Sequence, residues 1–111
     1  MQETIKFLEW NGKKYPLVFN LNVMEKIQEE YKTFKNWTSL VENIEEIDIK
    51  ALKFGIKEII NEGLDMQEET ELLTDKQVGR LLTEVGMSKA TKSMQEIIVD
   101  STKSDEESKN V

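Results

Sequence analysis

The chain has 111 residues, of which 38% are hydrophobic and 33% are charged, and its net charge is −7. This length suits one domain with a modest core. The absence of cysteine and histidine excludes thiol nucleophiles, serine–histidine pairs, disulfides and zinc sites with sulfur or imidazole ligands. The acidic balance repels phosphate backbones and disfavours nucleic acid as a partner.

Membrane association is not expected from the hydrophobic pattern. No apolar run approaches the roughly 18 residues that a membrane-spanning helix needs. The opening residues also lack the basic start and apolar stretch of a signal peptide. We therefore expect a cytoplasmic protein.

The first predicted element is a β-hairpin made of residues 4–10 and 13–19. Asn11-Gly12 between them favours a type I′ turn, because both central residues of that turn have positive φ. A period of two predicts one apolar face on each strand. The residues predicted to form these faces are Ile5, Phe7, Tyr15, Leu17 and Phe19.

Three helices are predicted next. Asn20 is a plausible N-cap for the first, whose apolar stripe is Leu21, Met24, Ile27, Tyr31 and Phe34. After a predicted break at Lys35-Asn36, a short second helix carries Trp37, Leu40, Val41 and Ile44. The third begins after Asp48 and is expected to end at Gly63. Gly55 inside it costs roughly 1 kcal/mol of helix propensity, which predicts a close crossing there.

Two more helices follow an acidic loop at residues 64–73. Thr74 and Gln77 fit a capping box at the start of the fourth, and Gly86 ends it. The fifth follows Ser88. The predicted fold is α+β and mostly α, with an N-terminal β-hairpin packed on about five helices. Residues 1–100 form a single globular domain, and residues 101–111 form a disordered, polar and acidic tail.

The motifs that could carry chemistry are incomplete. Residues 76–94 have the outline of a helix-turn-helix, but Lys92 stands where a buried aliphatic residue is needed, and Leu82 where a small one is needed. The acidic loop resembles a calcium-binding loop, but Thr70 replaces its glycine and Lys76 its closing glutamate. Glycines do not cluster into a phosphate-binding loop. We therefore expect no enzyme activity, no cofactor and no metal.

The aromatic residues are divided between core and interface. Phe7, Phe19, Tyr31 and Phe54 are predicted to fill the core. Trp10 and Trp37 lie at element ends and suit either core or interface equally well. A partner-binding groove is predicted between the first helix and the hairpin. The residues predicted to bind the partner are Trp10, Met24, Ile27, Tyr31 and Trp37.

Three blocks of sequence carry a family resemblance. They are residues 12–31 (GKKYPLVFNLNVMEKIQEEY), residues 51–63 (ALKFGIKEIINEG) and residues 73–86 (LTDKQVGRLLTEVG). Together these blocks resemble small phage and prophage proteins of Gram-positive bacteria that are similar to the tail assembly chaperones of long-tailed phages. The resemblance covers most of residues 5–100, and its motifs are structural rather than catalytic.

The resemblance implies a protein that binds the tape-measure protein, keeps it soluble and helps recruit tail-tube subunits in the cytoplasm of the bacterial host. Such a chaperone is not expected in the mature virion. The resemblance also implies a longer product made by programmed frameshifting, and Ser108-Lys109-Asn110 can be encoded by a slippery heptanucleotide. The alternative is a small phage-encoded regulator that binds a host protein or nucleic acid through the helix pair 75–98, and a third possibility is a structural virion component. Self-association stays open.

Overall fold

A computed structural model describes the backbone of residues 4–109 and the side chains of residues 4–103. Within these residues a two-stranded antiparallel hairpin packs on five α-helices, which confirms the predicted α+β, mostly α fold. The elements are β1 (Ile5–Trp10), β2 (Lys13–Val18), α1 (Leu21–Tyr31), α2 (Phe34–Val41), a 3₁₀ turn (Ile44–Glu46), α3 (Ile49–Met66), α4 (Asp75–Val85) and α5 (Met87–Lys109). Asn110 and Val111, which end the predicted tail and include part of the candidate slip site, lie outside the described residues.

The hairpin turn forms as the sequence predicts. Asn11 and Gly12 have φ values of 52° and 72°, the left-handed conformation that a type I′ turn requires. The strands pair in register from Ile5 opposite Val18 to Trp10 opposite Lys13.

The face of β1 that meets the core differs from the prediction. Leu8 is 2% exposed, whereas Ile5 is 47% exposed and Phe7 is 53% exposed, so the prediction of Phe7 as a core residue is wrong. Strand β2 has a different pattern, because its residues from Pro16 to Val18 are all buried and the strand therefore packs on both faces. Helix α3 covers β2, while α4 and α5 pack on β1. The alternation in β1 alone does not show which of its faces these helices cover.

Helix α3 is the centre of the core. Its buried residues contact the hairpin and the other helices, and they are Ala51, Leu52, Gly55, Ile56, Ile59, Ile60, Gly63 and Leu64. Trp37 of α2 is fully buried, and its indole N–H donates to the carbonyl of Ala51 at 2.9 Å. A Cβ atom at Gly55 would lie 3.0 Å from Cε2 of Trp37 and closer still to Cζ2. The predicted close crossing at Gly55 is therefore confirmed.

Gly63 does not end α3, which corrects the sequence prediction. The helix continues to Met66, and Glu68 beyond it has a φ of 62°. A Cβ at Gly63 would lie 2.8 Å from Cβ of Pro16. Glycine at this position is explained by the close approach of β2, a long-range contact, rather than by a helix end.

The helix starts follow local capping signals. Asn20 accepts a hydrogen bond from the amide of Val23, Asp48 accepts one from Ala51, and Thr74 and Gln77 form the predicted capping box. The predicted break at Lys35-Asn36 is wrong, because Thr33 caps α2 and both residues lie inside that helix.

The last two helices are joined by Gly86 alone, with a φ of 100°. Helix α5 continues through Ser101, where the predicted tail begins, and Ser101 is buried. The side chains of the predicted tail from residue 104 onward lie outside the described residues. Across the described part of the chain, no helix combines the length and apolarity needed to cross a membrane.

Candidate functional site

The five residues predicted to bind a partner occupy different environments. Ile27 and Trp37 are 0% exposed and lie within the core. Trp10, Met24 and Tyr31 are partly buried against that core. Trp10 packs on Tyr15 of β2, so it lies on the hairpin side of the molecule, whereas Tyr31 packs on α3. The structure therefore does not bring the five residues together on one surface, and their role in binding stays a prediction.

Tyr31 lines an open cavity of about 430 Å³ between the end of α1, the first half of α3 and the start of α4. A second open cavity of about 520 Å³ lies between α3 and α4. Both cavities are lined by Ile49 and Lys53, so they form two halves of one surface. We call this surface the α3–α4 groove. It lies beside α1, on α3 and α4, rather than between α1 and the hairpin.

The groove has an apolar and aromatic part. Tyr31 and Phe54 meet edge to face, with ring centroids 5.5 Å apart. Ile49, at the boundary of the two cavities, is 48% exposed. Burial raises the pKa of the Tyr31 hydroxyl above its ordinary value, and the nearby carboxylates of Asp48 and Glu30 raise it further. These residues give a partner an apolar surface to cover.

The charged residues of the groove are mostly cations. Five basic and three acidic side chains line the two cavities, a net charge of +2 on a chain whose total is −7. The basic residues are Lys50, Lys53, Lys57, Lys76 and Arg80. The acidic residues are Glu30, Asp75 and Glu84. The groove is therefore a positively charged surface on an acidic protein.

Two of the three acids already have partners within the protein. Lys57 Nζ donates to Asp75 Oδ1 at 2.8 Å, and this hydrogen bond, together with the charges of Lys57 and Lys53, lowers the pKa of Asp75. Glu84 accepts a hydrogen bond from the indole N–H of Trp10. Among the five cations of the groove, only Lys57 has such a partner in the described part of the chain. The other four form no salt bridge with another residue that the structure describes, and they are Lys50, Lys53, Lys76 and Arg80.

Helical spacing explains how the sequence builds this surface. Lys50, Lys53 and Lys57 follow one another at three- and four-residue steps, so they lie along one side of α3. Lys76 and Arg80 are similarly four residues apart on α4, whose opposite face buries Val78, Leu81 and Leu82. Each pattern is visible in the sequence, but the groove was not predicted, because only tertiary packing shows that these two stripes are neighbours.

Smaller apolar surfaces occur elsewhere. Ile5 and Phe7 are half exposed on β1. A cavity of about 120 Å³ between α2 and α5 is lined by Trp37 and Val99, and Val99 is 58% exposed. Neither surface combines apolar area with a cluster of one charge. The α3–α4 groove does, which makes it the candidate binding surface among the described residues.

Comparisons with known proteins give no relative for this chain. No family model, no curated protein and no solved structure matches it.

Proposed function

We propose that this protein is a tail assembly chaperone of a long-tailed phage or prophage of Gram-positive bacteria. It binds the tape-measure protein, keeps it soluble and helps recruit tail-tube subunits. The observation that carries the proposal is that the three sequence blocks resembling this family meet in the α3–α4 groove. Residues 12–31 supply Glu30 and Tyr31, and residues 51–63 supply Lys53, Phe54 and Lys57. Residues 73–86 supply the entire α4 side of the groove.

The expected chemistry of the partner supports this proposal. A tape-measure protein is expected to have long amphipathic helices, whose apolar stripes aggregate when they are left uncovered. A groove with an apolar floor can cover such a stripe by binding the helix along its length. The rest of this protein is strongly acidic, and the added net charge would keep the complex in solution.

The proposal includes a non-enzymatic role without a cofactor, because the groove offers donors, charge and contact area rather than a nucleophile with its base. It also places the protein in the bacterial cytoplasm during assembly and leaves it out of the finished particle. Mass spectrometry of purified particles checks this last point, because a structural virion protein would be present in stoichiometric amounts and a chaperone would be absent.

Binding to overlapping tape-measure fragments in a salt series tests the proposal. We expect fragments with amphipathic helices to bind with a modest salt dependence, because apolar contact supplies much of the affinity. A DNA duplex of about 20 base pairs is the comparison probe, since binding to phosphates weakens steeply as salt rises. Binding of the duplex but of no tape-measure fragment would reject the chaperone and favour the alternative, a regulator acting through residues 75–98.

A further inference from the structure

We infer that the α3–α4 groove binds an acidic amphipathic helix of a partner protein, with the apolar stripe of that helix on Ile49, Tyr31 and Phe54 and its acidic flank toward the cations of α3 and α4. The inference deepens the proposed function and rests on it where the partner is the tape-measure protein. It adds the chemical class of the bound segment, its orientation across the groove and the residues that select it.

Charge complementarity identifies the occupant. The groove has a net charge of +2, and because the whole chain carries −7, the remaining residues carry −9. Lys50, Lys53, Lys76 and Arg80 are free of salt bridges to other described residues, so an incoming carboxylate does not have to displace an internal partner. Complementary charge of this kind selects among partners and speeds association.

The arrangement of charge also orients the helix. The α1 side of the groove contributes the acid Glu30 and no cation, whereas the α3 side contributes three cations and no acid. The α4 side contributes two cations and two acids, of which Asp75 is already paired with Lys57 and Glu84 accepts a hydrogen bond from Trp10. A helix with acids on one flank therefore fits best with that flank toward α3 and the two cations of α4, away from Glu30. From Ile49 to Lys57 the groove follows α3 for about 12 Å, given a rise of about 1.5 Å per residue, which is roughly two turns of a bound helix.

A protein segment fits this groove better than a nucleic acid. The exposed side chain between the cations is that of Ile49, which is aliphatic and offers no ring for a base to stack on. A duplex would also extend past the groove over surfaces that belong to the strongly acidic remainder, where phosphates are repelled. A two-turn acidic helix contacts the basic groove and little else.

The test uses two synthetic helical peptides of about 20 residues, a length that allows helix formation in water. Both have leucines at three- and four-residue steps; one has glutamates along one flank and the other has lysines at the same positions. Binding to the full chain is measured by fluorescence anisotropy. We expect the glutamate peptide to bind and the lysine peptide not to bind.

The decisive variant is Lys53→Glu with Arg80→Glu, which reverses two charges in the groove. The matched control is Lys35→Glu with Lys92→Glu, two exposed lysines outside the groove, so that both double variants have the same net charge. We expect the groove variant to lose roughly tenfold or more in affinity for the glutamate peptide, and the control to stay within about twofold of the unmodified protein. If circular dichroism shows that the groove variant is unfolded, Lys50→Glu with Lys76→Glu, at two exposed positions, replaces it.

Three results would overturn the inference. The first is equal affinity of the glutamate peptide for the groove variant and the control. The second is tighter binding of the DNA duplex, lost in the groove variant alone, which would make the groove a nucleic-acid site. The third is a change from oligomer to monomer in the groove variant without peptide, which would identify a second copy of the chain as the occupant.

The two proposals fail in different ways. If tape-measure fragments bind the groove variant as well as the unmodified protein, the groove assignment is wrong and the chaperone proposal stands. If the glutamate peptide binds in the groove but no tape-measure fragment binds anywhere, the chaperone proposal is wrong and the groove assignment stands.

Discussion

Gly55 and Gly79 lie inside neighbouring helices, α3 and α4, but they meet different surroundings. A Cβ at Gly55 would overlap the ring of Trp37, which is held in place by its hydrogen bond to the carbonyl of Ala51. A Cβ at Gly79 would meet only the end of the flexible Lys53 side chain, 3.5 Å away at Nζ. The same substitution should therefore have opposite effects at the two positions.

We expect Gly55→Ala to lower the free energy of unfolding by up to about 2 kcal/mol, because overpacking a core costs about 1–3 kcal/mol and the gain in helix propensity is about 1 kcal/mol. Gly79→Ala, the matched control, should leave the stability unchanged or raise it by up to about 1 kcal/mol. Urea unfolding of both variants measures the difference. An alanine at position 55 that stabilises as much as one at position 79 would show that α2 and α3 do not cross as described.

The Lys57–Asp75 pair has a measurable effect on the pKa of Asp75. The pKa of Asp75 lies below its ordinary value chiefly because of the hydrogen bond from Lys57. We expect Lys57→Met to raise that pKa toward the ordinary value, as measured by NMR titration of the carboxyl carbon. Lys50→Met removes a cation that is not hydrogen-bonded to Asp75 and should change its pKa much less. Equal shifts in the two variants would contradict the assigned cause.

The sign of the pH dependence follows from the direction of this shift. A carboxyl whose pKa is lowered by folding contributes stability above its unfolded-state pKa, and that contribution disappears as the pH falls through the lowered, folded-state value. The pair is exposed to solvent, so screening keeps its contribution small.

Among the elements, the connection between α3 and α4 is held at its buried end by a side chain of α3. Asn61 of α3 accepts a hydrogen bond from the amide of Leu73 at 2.8 Å and donates to the carbonyl of the same residue at 3.0 Å. Leu73 is 8% exposed and precedes the Thr74 cap. Asn61 thereby fixes the start of α4 relative to α3, and with it the spacing of the two basic stripes that line the groove.

Replacing Asn61 with alanine should lower the free energy of unfolding by about 1–3 kcal/mol, because it removes the side-chain partner of both backbone groups of a largely buried residue. Hydrogen exchange at the Leu73 amide should accelerate by more than exchange at the Val78 amide, which is bonded within α4 to the Thr74 carbonyl. Unchanged protection at Leu73 would contradict the proposed role of Asn61.

Apart from the wrong break at Lys35-Asn36, where Thr33 caps α2 instead, the elements were predictable from sequence where their signals are local. The Asn11-Gly12 turn, the caps at Asn20, Asp48 and Thr74, and the helix end at Gly86 each depend on residues only a few positions away. The errors at Phe7 and Gly63 have the opposite origin, since both depend on which surfaces of the hairpin are covered by helices distant in sequence. A period of two identifies the faces of a strand but does not show which face is buried.

At the scale of the whole molecule, the hairpin is held against the last helix as well as against α3. Lys6 of β1 lies 3.1 Å from both Glu96 and Asp100 of α5, and these two carboxylates raise the pKa of its ammonium group. The N-terminal strand and the C-terminal helix thus pack together around a core centred on α3. This arrangement leaves the α3–α4 groove open on the outside of the molecule.

The candidate site was less predictable than the fold. Of the five residues predicted to bind a partner, only Tyr31 lines the groove, and Ile27 and Trp37 lie in the core. A binding surface consists of residues from several elements, so locating it requires knowing which helices are adjacent. The apolar stripe of α1 includes Tyr31, but the stripe could not show that Phe54 and the cations of α3 lie beside it.

The most direct test of a chaperone role is the soluble fraction of full-length tape-measure protein encoded in the same genome, expressed with and without this chain. We expect the tape-measure protein to be mostly insoluble alone and to become soluble, in a complex that copurifies, when this protein is coexpressed. An equally insoluble tape-measure protein in both cases, with this chain expressed and folded, would contradict the assignment as a tail assembly chaperone.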